Sequence, residues 1–481
     1  MFKQRKFNLP LFGVILTIYL IIYGSISLRI GRHWDEVLDY NGDAYGTYFA
    51  GGRWVTGAYR YLTGSWEHPA VSSFVAGIII ALLLTVQCET GCFKRTWQKL
   101  AFATIYLGCV QWASMLSFSM QTETIAIGMC CASISAWICF KPGWKSAVWA
   151  ILLLAIALGA YQTLAMYFAV AWLLLRLLNI RGNSEEYSLK PWVRLACISI
   201  GGIIVWNGIF RLTLPFISQA DLDYVQKYQE GLTQWGDLGE NSVKLQVLCF
   251  AHYFKYTILC ALGIGKETYW LFATALVPVC GLLYQAMRRF HKWARWESCV
   301  NVFLIWWLPF CTSMLVFSAQ GFRTALAAPL SLAGLWAAWF VGIKLQERHM
   351  RIIGILGLCV TGAASTTVCC KAVEEAKLHH NTIEMLQTME AKGREYAKTA
   401  GCPDAPIVIV PPKIDSQAPL CDDTYRMGFL SFYCRAYGLY GVSLATKQDV
   451  DKYRVLVKSL PSWPAPGCIV EEQGSIIIVI R

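Results

Sequence analysis

Apolar residues in this chain come in blocks of roughly 17–22, about the length of helix that crosses a hydrocarbon core some 30 Å thick. Eleven segments have this character: 11–28, 70–87, 99–117, 122–140, 146–161, 163–179, 193–212, 268–287, 298–317, 324–343 and 352–370. In lipid every backbone N–H and C=O has to be satisfied inside the protein, so repeated blocks of this length dictate a bundle of spanning helices. Composition agrees, because 56% of the 481 residues are hydrophobic and only 15% charged, too few to cover a soluble core of this size. The net charge of +12 lies in short clusters between the apolar blocks, where a membrane protein sets its orientation, so no nucleic-acid partner is expected.

Lys3, Arg5 and Lys6 precede the run from Leu9 to Leu28, as in a signal peptide. The run is long for a cleaved leader and no small-x-small site follows before Arg29, so a retained first helix is expected. With the N-terminus cytoplasmic, segments 1–10, 88–98, 141–145, 180–192, 288–297 and 344–351 hold nineteen Lys/Arg, counting their helix ends. The much longer outer loops hold about ten, the bias of the positive-inside rule. Of the 30 acids only Glu89, Glu185, Glu186, Glu297 and Glu347 then fall inside. Residues 243–263 are apolar enough to suggest a twelfth span. Counting them would move the Arg288–Arg295 cluster outside, and they carry Lys244, His252 and Lys255; we read an amphipathic helix at the outer interface.

The expected fold is therefore mainly α, a polytopic membrane helix bundle of about 11 transmembrane helices with a small C-terminal α/β extracytoplasmic domain. Residues 1–370 form the membrane domain, with outer loops 29–69 and 213–267, and residues 371–481 the outer domain. The latter reads as a helix from Ala372 to about Thr399, a strand Ile407–Val410, a turn at Pro411–Pro412 and a last strand Ser475–Ile480. Fifteen of the 19 cysteines sit in or beside apolar blocks, where cysteine acts as a small hydrophobe. Cys402, Cys421, Cys434 and Cys468 fall in the polar C-terminal region, where a location outside the cytoplasm would allow disulfides in any of their pairings.

The first outer loop packs Asp35, Glu36, Asp39 and Asp43 among tryptophan and tyrosine. On a helix, Asp35, Asp39 and Asp43 would share one face, and neighbouring like charges raise one another's pKa, which suits a general base. A solvated acidic loop would look the same. Gly51-Gly52-Arg53-Trp54 follows. Glycine lets a backbone approach a ligand closely, and arginine offers a planar fork for phosphate, although a basic residue here also suits lipid headgroups. Gln121 and Glu123 flank the turn between the third and fourth spans, Tyr161-Gln162 the turn between the fifth and sixth, while Arg211 ends the seventh and Arg323 begins the tenth. Each alone reads as an ordinary helix end; together they place amides, a carboxylate and arginines around one outward cavity. The second long loop carries Asp221, Asp223, Glu230, Asp237 and Glu240 beside Tyr224, Tyr228 and Trp235, a mixture that fits sugar or interface. The seven histidines show no zinc-protease spacing, and there is no P-loop, G-x-S-x-G or paired-cysteine zinc pattern, which argues against an ATP-driven pump or serine hydrolase. No spacing requires a metal; the clustered acids would permit a divalent cation.

The acidic loop ending in Gly52-Arg53-Trp54, the run Ser119-Met120-Gln121-Thr122-Glu123-Thr124 and the turn Ala160-Tyr161-Gln162-Thr163 resemble the bacterial and phage GtrII-type glucosyltransferases, mainly over residues 10 to 180. These are polytopic GT-C-class enzymes of O-antigen modification. The resemblance implies a multi-pass protein of the bacterial inner membrane, acting on its periplasmic face. It would take a sugar, glucose by family, from a polyprenyl-phosphate carrier and pass it to a lipid-linked oligosaccharide or surface polysaccharide acceptor, with a first-loop carboxylate as base. Where the family often shows two adjacent acids, this chain has Asn41-Gly42-Asp43. Asp43 is then the first choice, Asp35 the second, and Asp39 stays a candidate. Arg53, Arg211 or Arg323 would meet the leaving phosphate, with Trp54, Gln121, Glu123, Tyr161 and Gln162 around the substrate. A transporter or flippase of lipid-linked sugars is the main alternative; it would place charge near mid-membrane, whereas the acids here cluster at outer ends. A structural or sensory protein is the third.

Overall fold

The computed structural model describes residues 7–27, 44–63, 69–90, 93, 95–109, 116, 119–183, 189–219, 221–223, 243–262, 264, 270–289, 292–312, 325–341, 347–410, 442–444, 459–461, 463–472 and 474–479. The chain is mainly helical and divides into two compact units, one running to Cys370 and one from Lys371 onward.

In the first unit the helices are α1 (Leu9–Ser27), α2 (Ala44–Ala50), α3 (Trp54–Thr63), α4 (Pro69–Thr90), α5 (Thr96–Gly108), α6 (Ser119–Ile138), α7 (Trp144–Ala160), α8 (Leu164–Asn183), α9 (Lys190–Thr213), α10 (Val243–Ala261), α11 (Trp270–Ala273), α12 (Leu276–Arg289), α13 (Lys292–Trp307) and α14 (Ala328–Val341). Each of the eleven apolar segments carries one of these helices or the start of the next, α15 (Glu347–Thr399). Among the described residues, Ala70–Thr90, Lys190–Phe216, Leu271–Arg288 and Ile352–Cys370 are long and apolar enough to cross a membrane, and Leu9–Ser25, Trp144–Ala160, Leu164–Asn179 and Ala328–Val341 are shorter apolar helices. The chain is a multi-pass membrane protein on this showing.

Buried hydroxyls in the bundle are tied to backbone carbonyls. The Tyr23 hydroxyl donates to Leu107 O (2.5 Å) and Cys109 O (3.1 Å), where α5 ends. Tyr19 donates to Ser73 O of α4 at 2.8 Å, a second acceptance for a carbonyl inside that helix. At the end of the bundle where the basic clusters lie, Glu297 of α13 accepts from Arg176 Nε (2.7 Å) and Nη2 (3.1 Å) of α8 and from Trp192 Nε1 (2.9 Å) of α9. Three helices are thus joined by one carboxylate. Residues 243–261, expected at an interface, are helical as α10; Ala261 O accepts from Trp306 Nε1 (2.9 Å) and Thr257 Oγ1 from Trp307 Nε1 (3.1 Å), which ties α10 to α13.

The helices expected at 352–370 and from Ala372 are one continuous α15, because no Gly or Pro occurs between Gly362 and Gly393. Its residues to Cys370 belong to the first unit and the rest to the second. The second unit is α/β: β1 (Ile407–Val410), β2 (Val442–Leu444), β3 (Ile469–Glu472) and β4 (Ser475–Val479) form a sheet in the order β2-β1-β4-β3. β1 runs parallel to both β2 and β4, while β3 and β4 make an antiparallel hairpin that turns at Gly474. Leu386, Met389 and Ala397 of α15 bury against Ile407, Ile409, Ile476 and Ile478, alternate residues on one face of the central strands. Cys402 and Cys468 are free thiols; Cys421 and Cys434 lie outside the described residues.

Candidate active site

The turn between α2 and α3 sets the geometry. Gly52 N donates to Phe49 O (3.0 Å) and Arg53 N to Tyr48 O (2.8 Å), with Gly52 at φ +72°, which is a Schellman closure of α2. Closing the helix in this way turns two carbonyls outward from it. Gly51 O accepts from Gln162 Nε2 (2.6 Å) and Gly52 O from Trp206 Nε1 (2.9 Å), so the turn is held by the α7–α8 connection and by α9. A Cβ on Gly52 would lie 3.0 Å from Trp206 Cζ2 and 3.3 Å from Gln162 Nε2. Gly52→Ala is therefore expected to lower stability by about 1–2 kcal/mol, the cost of a left-handed residue with a side chain, and to reduce transfer because Arg53 follows directly. Thermal unfolding in detergent, with sugar transfer measured alongside, checks both.

Arg53 points into the junction of all three sequence motifs. Its Nη1 donates to Gln121 Oε1 at 3.1 Å, and its guanidinium lies over the Tyr161 ring at 4.6 Å from the centroid. Gln121 Nε2 in turn donates to Tyr48 OH at 3.4 Å. The Trp54 indole packs against Gly159, where a Cβ would lie 2.7 Å from Trp54 Cζ2, so only glycine lets α3 approach α7 here. One turn along α3, Thr56 Oγ1 donates to Ala160 O (3.1 Å) and meets Thr124 Oγ1 at 2.9 Å. A further turn on, Arg60 reaches Glu123 Oε2 at 3.5 Å, both side chains buried. The Tyr59 phenol beside this pair is held above its ordinary pKa by burial, with the Glu123 carboxylate adding to the effect and Arg60 opposing it.

Within this cluster Arg53 is the cation that meets no carboxylate among the described residues, a condition shared by the part-buried Arg194 near the other end of α9. Three other enclosed cations each meet a carboxylate: Arg60 with Glu123, Lys99 with Glu89, and Arg176 with Glu297. Arg53 is partly buried yet meets an amide and a ring instead, and among the described residues its Nε has no hydrogen-bond partner. The indole N–H of Trp54 and the hydroxyl of Thr163 are enclosed nearby in the same unpartnered state. A guanidinium that meets no carboxylate has the chemistry to accept an anion.

Of the residues singled out in the sequence, Arg53, Trp54, Gln121, Glu123, Tyr161 and Gln162 come together in this way. Arg211 is exposed near the end of α9, outside this set of contacts, and Asp35, Asp39, Asp43 and Arg323 lie outside the described residues. Sequence reading missed Tyr48, Thr56, Arg60 and Trp206. Arg53, Thr56 and Arg60 recur at helical spacing, a signal that was available; Trp206 gives none, since it meets Gly52 across 154 positions. The second loop also reaches the first: the Asp221 carboxylate lies against Gly46 of α2, with Oδ1 3.3 Å from where a Cβ would stand, and accepts from Ser218 Oγ at 2.5 Å.

Neither the curated proteins nor the solved structures include a match to the chain. The family model described as Glucosyl transferase GtrII matches residues 33–334, which takes in the acidic loop and every side chain of the cluster built around Arg53. The chain thus belongs to the GtrII glucosyl transferase family.

Proposed function

We propose that this glucosyltransferase takes its sugar from a polyprenyl-phosphate carrier at the outer face of a bacterial inner membrane and passes it to an O-antigen-like acceptor, through a GT-C-like bundle of eleven spans. The guanidinium of Arg53, which meets no carboxylate among the described residues, is the observation that supports this reading most directly. A first-loop carboxylate, Asp43 before Asp35 or Asp39, takes the proton of the acceptor hydroxyl. That oxygen then attacks the anomeric carbon, the bond from this carbon to the phosphate oxygen breaks, and the carrier phosphate leaves with both electrons toward Arg53. Tyr161 and Gln121 hold the guanidinium in place for that charge, while Trp54 and Gln162 fix the turn that carries it. Arg211 and Arg323 are the further cations available to the phosphate. The carrier's tail stays in the bilayer, which accounts for a site at the membrane edge.

The test presents membranes carrying the chain with polyprenyl-phosphate glucose or with a nucleotide-linked glucose. Transfer from the first alone is expected. Direct transfer from the nucleotide sugar overturns the donor assignment, and movement of the carrier across the bilayer without transfer favours a flippase. In the same assay Arg53→Lys, which keeps the charge but loses the fork, should lower kcat about 10–100-fold, the equivalent of one charged hydrogen bond of roughly 1.5–3 kcal/mol.

A further inference from the structure

A cavity of 390 Å³ lies between α4, α6, α8 and α14, away from the Arg53 cluster. Its wall runs from Leu82 and Cys130 in the middle of the bundle to Thr90 and Trp137 at the helix ends where the basic clusters lie. From Leu82 to Thr90 is about 12 Å of helix, nearly one half of a hydrocarbon core of ~30 Å. Spread over that depth the volume leaves a cross-section of about 30 Å², enough to admit one alkyl chain with carbon neighbours ~4 Å away.

Three features identify what fills it. The wall is almost wholly aliphatic and aromatic; the amide nitrogen of Gln87 donates to Ser133 Oγ at 2.9 Å and to Tyr167 OH at 3.3 Å, and its Oε1 is the one side-chain acceptor of the wall left without a partner among the described residues. The cavity opens sideways, since Leu82, Val86 and Ile134 are in its wall and also exposed on the bundle surface that lipid covers. At its polar end a cation waits: the exposed Lys141 holds its ammonium 3.6 Å from the centre of the Trp137 ring, and Trp137 lines the cavity. A void of this size left empty would cost the fold stability, and an apolar wall excludes water.

We propose that this cavity is a binding site for one anionic glycerophospholipid of the leaflet the basic clusters mark as cytoplasmic. One acyl chain enters past Val86 and lies along Leu82 and Cys130, and the phosphate stands at Lys141. The site lies in the half of the bundle opposite the sugar-transfer cluster, so this lipid is a permanent companion of the fold and not the donor.

The full chain, purified in detergent and stripped of lipid, is titrated with phosphatidylglycerol or phosphatidylcholine and weighed by native mass spectrometry. One tightly held phosphatidylglycerol per chain is expected. Val86→Trp, a change at the exposed mouth, should abolish it. Lys141→Ala should lower the preference for phosphatidylglycerol over phosphatidylcholine about fivefold, the ~1 kcal/mol of one lysine at an anionic membrane surface. Equal retention by Val86→Trp and the wild type overturns the proposal, and so does retention of a polyprenyl phosphate that phosphatidylglycerol cannot displace.

Discussion

Asp43→Asn should lower the turnover of sugar transfer about 10²–10⁴-fold, the usual contribution of a positioned general base, with the Michaelis constant for the donor close to that of the wild type. Asparagine keeps the size and a hydrogen-bonding oxygen of aspartate but cannot take up the acceptor's proton. Asp43 itself lies outside the described residues, and its place in the chain supports the assignment. It precedes Ala44, the first residue of α2, and α2 is fixed at its far end by Tyr48 on Gln121, Gly51 on Gln162 and Gly52 on Trp206. Seven residues of helix measure about 10 Å, a separation that a sugar ring and its phosphate span between a base at one end and the Arg53 guanidinium at the other. The pH–rate profile gives a second readout, because loss of the base removes the acidic limb of the profile whereas loss of a merely structural residue does not. Asp35→Asn separates the candidates. If it loses transfer while Asp43→Asn does not, the role passes to Asp35; if both keep full transfer, Asp39 is left, and full transfer by Asp39→Asn as well would mean that none of the three is the base.

The helical plan was legible because membrane insertion is nearly a one-dimensional property. A block of apolar residues long enough to span has few alternatives to a helix, whatever it packs against. This is why all eleven segments carry helices, while features that depend on distant partners were hidden. In the second unit, β1 and β4 stand out as short runs of branched residues, but β2 has three residues and pairs in parallel with β1 from 35 positions away. Parallel pairing leaves no hairpin signal in the sequence. The continuity of α15 was legible in principle from its lack of breakers, and the change from apolar to charged residues near Lys371 disguised it.

The site divides in the same way. Three short motifs pointed to one place, and the structure brings them into contact through Arg53, Gln121 and Tyr161. Their chemistry was readable from residue type; the division of labour among them was not. Glu123, grouped with the substrate residues in the sequence, is buried on Arg60, and Thr124 of the same motif meets Thr56. Among the described residues of this set, Arg53 is the cation without a carboxylate. That distinction needs the distances, because the two arginines of α3 and its leading turn are indistinguishable in the sequence.

Glu297→Leu is expected to cost about 3–5 kcal/mol of stability, the penalty for leaving one member of a buried ion pair unmatched, visible as a large fall in Tm in detergent. The carboxylate accepts from both Nε and Nη2 of Arg176 and from the Trp192 indole, with the Arg176 and Glu297 side chains only 3% and 4% exposed. Its loss leaves the buried Arg176 guanidinium without its carboxylate. The double variant Arg176→Met/Glu297→Leu removes both charges and should regain most of the loss, since a buried pair is often no better than apolar residues of similar volume. A double variant no more stable than Glu297→Leu would mean that Arg176 draws its stability from elsewhere. Arg53→Ala forms the contrast: with no carboxylate partner among the described residues, its removal strands no charge, so it should cost little stability while transfer falls. Two arginines in one bundle would then respond in opposite ways, the paired one through Tm and the unpaired one through kcat.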